Sequence, residues 1–309
     1  MSPRVRALVG QGVAVAAAGT LLVLVALQAA ANLKERGIAS GFAYLGRGAG
    51  FEIAPGPLAF SSRDTYARAL AVGLVNTLRV SLAGIVLATV LGVVIGLARL
   101  SKRRVLSLPA TVYLEALRNT PLLLQLLVWY ALAQALPGPG AALKPLPGVF
   151  LCNRGLFLPS PWERPALDGF DIRGGMSLSP EFGALLACLA TYTAALIGEI
   201  VRGGVLSVGR GQTEAAAALG LSRGRTLRLV VLPQALRVIV PPATSQYLNL
   251  AKNASLGVAI GYPELISVTN STLNQTGQAI EAIGLATLLY LAISLSFSLA
   301  AHLWRRSHW

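Results

Sequence analysis

The sequence has 309 residues, of which 54% are hydrophobic and only 12% are charged, and its mean hydropathy is +0.64. Soluble domains carry about 25% charged residues, so this composition excludes an ordinary soluble enzyme and predicts an integral membrane protein. The formal net charge of +14 would suggest nucleic-acid binding in a soluble protein, but here it must first be tested against membrane topology.

Apolar runs that are long enough to cross a bilayer, about 20 residues each, recur along the chain. We predict an all-α integral membrane fold with six transmembrane helices, at about residues 8–31, 68–99, 109–136, 181–204, 237–262 and 280–303. The first run is longer than the core of a signal peptide, which has about 7–15 residues. We therefore predict a retained helix, with a cleaved signal as the alternative.

Basic residues are distributed asymmetrically between the two sides of the membrane. With the amino terminus in the cytoplasm, the inner side holds fourteen Lys and Arg residues against one acid, Glu214. The outer segments hold nine basic and nine acidic residues. This excess of inner positive charge predicts that both termini are cytoplasmic, and it explains the net charge with no nucleic-acid partner.

Two long segments lie on the predicted outer side. Residues 32–67 are rich in Gly and aromatic residues, and residues 137–180 are dense in Pro and Gly, as in LPGPG and LPSPWERP. Because such a composition disfavours regular structure, we predict an ordered but irregular cap. The chain is divided into residues 1–67, the first helix and its outer loop, and residues 68–309, a transmembrane domain.

Polar residues interrupt the third predicted span. Glu115 and Arg118 are three residues apart, so they share a helix face and can pair. Pro121 is expected to break the helix beside Asn119 and Thr120. Broken helices expose backbone groups that can hold the carboxylate or ammonium of a zwitterion, so Asn119 and Thr120 are candidates for a substrate path. The alternative is a structural ion pair with a packing kink.

Two further spans carry polar side chains. In the fourth, Glu199 and Arg202 are expected to form a local pair, while Tyr192 and Thr193 serve either packing or ligand contact. Lys252 lies about fifteen residues into the fifth span, beside Asn253 and Ser255. Charge at bilayer depth is costly and indicates function. One possibility is that Lys252, Asn253 and Ser255 line a substrate path, with Lys252 facing a carboxylate. The other is that Lys252 pairs with an acid on another span.

The loop at residues 207–235, between the fourth and fifth spans, contains GRGQTEAAAALGLSRGRTLRLVVLPQAL. Gln212 or Thr213 can open a short helix, with Glu214 in its first turn, where the helix dipole favours an acid. Gly220 is expected to end this helix. A basic amphipathic stretch follows, and Pro233 is expected to stop it.

The surface of this short helix suits close contact with a partner. The residues from Ala215 to Ala218 are strong helix formers with almost no side-chain bulk, and the arginines beside them can steer a partner electrostatically. The alternative is a connector that lies on anionic lipid headgroups. The residues by themselves leave both possibilities open.

The loop closely follows a known pattern. From Glu214 it reads EAA, three residues, G, nine residues, V, one residue and LP. This resembles the EAA loop, EAA-x3-G-x9-I-x-LP, of the permeases of binding-protein-dependent ABC importers, with Val in place of Ile. In that family the loop forms a coupling helix that docks on an ATPase subunit. The resemblance implies that the coupling residues here are Glu214, Ala215, Ala216, Gly220 and Leu221.

Other segments resemble the polar amino-acid branch of these permeases, and the resemblance covers residues 70–303. They are GLVNTLRVS (73–81), EALRNTPLLLQL (115–126), EIVRGGVLSV (199–208) and YLNLAKNASLGVAIGYPEL (247–265). The first span and the long outer loops are most similar to a permease of the general L-amino-acid transporters. The resemblance implies a five-helix type I permease core with an extra amino-terminal helix, in the bacterial inner membrane.

The resemblance also implies a function and an assembly. The chain would import L-amino acids by alternating access, with two ABC ATPase subunits, a second homologous permease or a second copy of itself, a periplasmic amino-acid-binding protein and membrane lipid as partners. It has no G-x-x-x-x-G-K-[ST] phosphate loop, so we predict that it does not hydrolyse ATP itself. It also shows no metal-ligand cluster of suitable spacing and no nucleophile motif such as G-x-S-x-G, so we predict no enzymatic activity, and no cofactor or metal. The alternatives are import of an opine or another small zwitterion, and an ion-coupled secondary transporter.

Overall fold

Long apolar helices dominate the computed structural model, which describes residues 3–35, 37 and 40–308. Within these residues the α-helices are α1 Pro3–Glu35, α2 Tyr66–Leu100, α3 Arg104–Asn119, α4 Leu122–Gln134, α5 Pro180–Leu206, α6 Arg210–Ala218, α7 Arg223–Thr226, α8 Leu232–Asn253, α9 Leu265–Thr276 and α10 Ala279–His308. A π-helical turn, Leu227–Val231, joins α7 to α8, and a 3-10 helix, Ala254–Ile260, follows α8.

Four described helical segments are long and apolar enough to cross a membrane: Tyr66–Leu100, Pro180–Leu206, Arg223–Ile260 and Ala279–Ala300. They coincide with the predicted second, fourth, fifth and sixth spans. The apolar parts of the other two predicted spans, Gly10–Val25 and Leu122–Gln134, are shorter. The multi-pass helical class is therefore confirmed, while the count of six spans stays a prediction.

Local sequence signals fix where the spanning helices begin. The side chain of Thr65 accepts a hydrogen bond from the amide of Arg68 at the start of α2. Ser179 does the same for the amide of Phe182 at the start of α5, and Pro180 occupies the first helical position. These arrangements satisfy amide groups that a helix leaves unpaired at its amino end.

Helices α2 and α5 approach each other more closely than side chains usually allow. A Cβ atom on Gly96 would lie 2.7 Å from the carbonyl oxygen of Gly198, and one on Gly92 would lie 2.7 Å from the side chain of Ile197. Small residues at helix crossings are typical of membrane proteins, where packing rather than water exclusion drives association. The main buried cluster forms around this crossing and continues onto α8 through Leu250.

The predicted irregular cap is wrong for residues 143–178, and with it the strictly all-α description. Strands β1 Leu143–Leu146, β2 Val149–Cys152, β3 Gly155–Leu158 and β6 Met176–Leu178 form an antiparallel sheet in the order β1-β2-β3-β6. Strands β4 Ala166–Asp168 and β5 Asp171–Arg173 form a separate hairpin.

The cap is regular because its glycines mark turns between short apolar strands. Gly148, between β1 and β2, and Gly169, between β4 and β5, have positive φ angles of 76° and 62°, a conformation that other residues rarely adopt. Alternate strand residues turn inward, so that Phe150, Cys152 and Phe157 form a small core. Period-two burial of this kind stabilises a sheet even when each strand has only three or four residues.

The α2–α5 crossing gives a direct stability test. We expect Gly96→Ala to lower the Tm of the purified permease, because overpacking a tight contact costs about 1–3 kcal/mol. The matched control is Gly203→Ala on α5, where a Cβ atom would meet nothing within 4 Å. Its Tm is expected to be unchanged or slightly raised, because alanine favours helix more than glycine does. Equal Tm values for both variants would contradict the close contact.

Candidate functional site

Helix α6, Arg210–Ala218, lies in the loop that the sequence singled out. It begins before Gln212 and Thr213, the two residues predicted to open it. The Thr213 hydroxyl donates to the carbonyl of Arg210 at 2.7 Å and caps no amide. Glu214 consequently lies in the second turn, and its predicted first-turn position is wrong.

The carboxyl end of α6 explains why glycine follows the alanines at this spacing. Gly220 has φ +75°, its amide donates to the carbonyl of Ala217 at 2.9 Å, and the amide of Leu221 donates to the carbonyl of Ala216 at 3.0 Å. These two bonds form a Schellman motif, in which the left-handed residue is usually glycine. Apart from its chain neighbours, no described residue lies within 4 Å of the position of a Cβ atom on Gly220, so the requirement is conformational.

The predicted coupling residues fall into two groups. Glu214, Ala215 and Gly220 are exposed, Leu221 is half-buried, and Ala216 is only 4% exposed. Ala216 faces inward, on the side of α6 that packs against α7 and the π-helical turn. The surface available to a partner, called the α6 face below, is therefore formed by Glu214, Ala215 and Gly220.

Pro233 does not stop the helical run that follows α6, so that prediction is wrong. It is the second residue of α8, where its missing amide proton removes no interior helical bond, and the π-helical turn before it keeps the chain helical. The exposed side chains of Arg223, Arg225 and Arg228 lie along this segment. They give the loop a positively charged surface beside the α6 face.

A polar cavity of about 300 Å³, called the polar cavity below, lies between α5 and α8. Its lining side chains combine one ammonium, three amides, a phenol and a hydroxyl with two leucines: Tyr192, Thr193, Leu196, Gln246, Asn249, Leu250, Lys252 and Asn253. A zwitterion needs a cation for its carboxylate and hydrogen-bonding oxygens for its ammonium. The polar cavity offers both.

Lys252 is exposed at the polar cavity, and among the described residues no acid lies within ion-pair distance of it. This agrees with a lysine that faces a ligand, one of the two possibilities left open by the sequence. Asn253 lies beside it in the lining. Ser255 lies outside the lining, and its hydroxyl donates to the carbonyl of Lys252 at 2.8 Å.

The helix break at Pro121 is present, but it lies away from the polar cavity. Helix α3 ends at Asn119 and α4 begins at Leu122. The Thr120 hydroxyl donates to the carbonyl of Ala116 at 2.8 Å. Asn119 and Thr120 are thus not brought together with Lys252 in the polar cavity.

Near the break, one expected ion pair is not formed, and one buried polar side chain was not predicted. Among the described ion pairs there is none between Glu115 and Arg118, which are both exposed. Instead, the buried side chain of Gln125 donates to the carbonyls of Leu117 and Thr120 at 2.8 and 2.9 Å. Gln125 thereby satisfies backbone groups that the break leaves free.

Gln246 and Asn249 are lining residues that the sequence reasoning missed. With Asn253 they stand at positions i, i+3 and i+7 of α8, which places three amides on one helix face. A polar stripe at this period inside a spanning helix was the signal that could have found them. On α5, Tyr192 and Thr193 also line the polar cavity, which agrees with ligand contact, one of the two roles that the sequence leaves open for them.

Comparison with protein families gives a match over most of the chain. Residues 67–307 match the model of the binding-protein-dependent transport system inner membrane component. The chain is 42% identical to the putative amino-acid ABC transporter permease protein YhdX of Escherichia coli (strain K12), over 99% of this chain and 94% of that protein. It is 38% identical to the general L-amino acid transport system permease protein AapQ of Rhizobium johnstonii, over 89% and 85%.

Comparison with solved structures gives the same architecture. A structure described as an amino acid ABC transporter with histidines matches with a TM-score of 0.60 and 26% identity. The match covers 78% of this chain and 95% of that chain. Nearly all of the solved permease thus has a counterpart here, and this chain has additional segments.

The left-handed end of α6 can be tested by hydrogen exchange. We expect the amides of Gly220 and Leu221 to be protected, and Gly220→Val to abolish their protection, because a left-handed residue other than glycine costs about 1–2 kcal/mol and β-branched residues are the least tolerated. Gly220→Asn is the control, since asparagine adopts this conformation more readily. Equal protection in the valine variant would contradict the Schellman motif.

Proposed function

The chain belongs to the family of binding-protein-dependent transport system inner membrane components, and we propose that it carries L-amino acids into the cytoplasm by alternating access. It is the permease of an amino-acid ABC importer, not an enzyme, and ATP hydrolysis belongs to a separate subunit. Residues 68–309 act as the transport domain, and residues 1–67 add a helix and an outer loop.

The α6 face carries this proposal. An ATPase subunit must bind the permease at a rigid surface in order to move it. Helix α6 is a short helix whose carboxyl end is fixed by two backbone hydrogen bonds. Its exposed alanine permits close approach, and the arginines of the following segment favour an acidic partner surface. Two ATPase subunits would dock at this face and at the equivalent face of a second permease, homologous or identical.

The remaining assembly follows from the topology that the charge distribution predicts. Both termini and α6 face the cytoplasm, in the bacterial inner membrane, and six helices cross the lipid. The β-sheet cap and residues 40–65 face the periplasm, where an amino-acid-binding protein delivers cargo. The match to the solved permease covers 78% of this chain, and the cap is a surface on which that delivery protein could dock.

The polar cavity provides the cargo contact in this scheme. The ammonium of Lys252 holds the substrate carboxylate, and the amide oxygens of Gln246, Asn249 and Asn253 accept from the substrate ammonium. Closure of the ATPase dimer moves α6, and the helices connected to it switch access to the polar cavity from one side to the other. The chain itself contributes position and charge, with no covalent step.

The overall function is tested in vesicles that contain the permease with its ATPase and binding protein. We expect uptake of labelled glutamate only when ATP is trapped on the cytoplasmic side, and competition by other L-amino acids. Uptake that persists without nucleotide, driven by an ion gradient, would contradict the proposal. Strong competition by an opine together with weak competition by amino acids would identify an opine as the cargo and leave the proposed mechanism unchanged.

The role of Lys252 gives a more specific prediction. Lys252→Gln is expected to raise the KM for uptake by roughly tenfold, because hydrogen bonds to charged groups contribute about 1.5–3 kcal/mol. Lys252→Arg keeps the positive charge and is expected to retain most of the affinity. Initial uptake rates over a range of glutamate concentrations measure both. An unchanged KM in the glutamine variant would show that Lys252 does not bind the cargo.

The role of Glu214 is tested separately from cargo binding. Glu214→Lys is expected to abolish uptake by weakening association with the ATPase, since the acid is exposed on the α6 face, where it can pair with a base on the docked subunit, and reversal of its charge turns that contact into repulsion. Glu163→Lys, a reversal at an exposed site in the cap, is the control. Co-purification of the ATPase measures association. Normal co-purification and uptake with Glu214→Lys would contradict docking at this face.

A further inference from the structure

An ion-pair network connects three helices near the inner end of α5. The guanidinium of Arg99, the penultimate residue of α2, contacts the carboxylate of Glu199 on α5 through Nη1. Its Nε donates to the hydroxyl of Thr111 on α3 at 3.3 Å. The other carboxylate oxygen of Glu199 accepts from Arg202, one turn further along α5, at 3.0 Å.

Only part of this network was visible in the sequence. The local pair of Glu199 and Arg202 was predicted and is confirmed. Arg99 is one hundred positions away from Glu199 along the chain, and no local pattern relates the two. Its side chain is only 13% exposed, so it is committed to this contact and is not free to interact with lipid headgroups.

Glu199 lies on α5 between the two candidate functional sites. It is three residues beyond Leu196, the last α5 residue of the polar cavity, and seven residues before Leu206, where α5 ends shortly ahead of α6. At 1.5 Å per helical residue, these separations are about 4.5 Å and about 10 Å. Any displacement that enters α5 from α6 must pass Glu199 before it reaches the polar cavity.

The neighbouring packing makes this part of the bundle a single unit. Directly above the network, Gly96 and Gly198 bring the backbones of α2 and α5 together. Below it, Gly204 of α5 lies against Ile239 of α8, the other helix of the polar cavity. The contact of Arg99 with Glu199 adds a charged link at the place where α2 ends and the chain turns toward α3.

The composition of the network indicates a role beyond stability. Two arginines face one carboxylate, and the Nε of Arg202 is buried without a hydrogen-bond partner in the described residues. Apolar side chains of similar size often hold helices together as well as a partly buried ion pair, or better. What an ion pair adds is a fixed direction and distance between particular helices.

We propose that Glu199 is a positioning residue for transport, and that its contact with Arg99 makes α2, α3 and α5 move together when α6 is displaced. This inference rests on the proposed function, because it needs a motor acting at the α6 face. Without the contact, glycine packing alone would hold α5 against α2, the link of Glu199 through Arg99 to α3 would be lost, and ATP hydrolysis would continue with less movement of cargo. The predicted defect is thus in coupling, not in cargo affinity or ATPase docking.

The experiment uses the complete complex of permease, ATPase and binding protein in proteoliposomes. Amino acid transported and ATP hydrolysed are measured in the same preparation. Arg99→Met removes the link between helices and leaves Glu199 paired with Arg202. The matched variant Arg202→Met removes the local pair and leaves the link to Arg99 in place. Tm values and subunit ratios establish that each complex is assembled.

We expect Arg99→Met to lower the ratio of transported amino acid to hydrolysed ATP by about fivefold or more, the lower end of coupling effects between sites. KM for uptake should stay unchanged, and Arg202→Met should keep the ratio within about twofold of the parent protein. A purely structural role would lower Tm and both activities in parallel. That result, or equal ratios in the two variants, would overturn the inference.

A charge exchange covers the case in which Arg99→Met does not assemble. Arg99→Glu combined with Glu199→Arg keeps one acid and two bases in the network and restores the pairing between α2 and α5. Recovery of the transport ratio relative to Glu199→Arg alone supports the positioning role, and failure to recover it contradicts that role. The unmodified complex shows independently whether uptake depends on ATP, so failure of the proposed function would be recognised separately.

Discussion

The close contact between α2 and α5 is the constraint on which the rest of the structure depends. It needs glycine at positions 92 and 96, because a Cβ atom on either of these α2 residues would collide with α5. In a bilayer, where lipid tails are as apolar as the side chains, such backbone proximity is a main source of helix association. The contact fixes α5 in the middle of the bundle, where it also contacts α3, α4 and α8.

Helix α5 then relates the two candidate sites to each other. Its central part supplies Tyr192 and Thr193 to the polar cavity, and its inner end is followed within a few residues by α6. One helix thus connects a surface suited to a motor with a cavity suited to a zwitterion. Each site has a physical property that suits its proposed role. The fixed end of α6 can transmit a displacement, and Lys252, which no described acid neutralises, can attract a carboxylate.

The sequence predicted those features that depend on local interactions. Gly220 ends α6 because a left-handed residue follows from neighbouring backbone bonds, and Pro121 breaks a helix for reasons contained in one residue. Features that depend on distant contacts were not predictable. The burial of Ala216 depends on how α6 packs against the segments that follow it, and Arg99 meets Glu199 only because α2 and α5 cross. The cap was misjudged because its strands have three or four residues, too few for alternation to outweigh the signal from proline and glycine.

The central claim is that the α6 face is where a separate ATPase acts on this permease. The most direct measurement places a photo-cross-linking residue at Ala215, which is exposed on that face, in the assembled complex within its membrane. The account predicts a covalent product with the ATPase subunit, and none with that subunit from the same probe at Leu146 in the cap. Products with lipid alone at Ala215 would contradict the account.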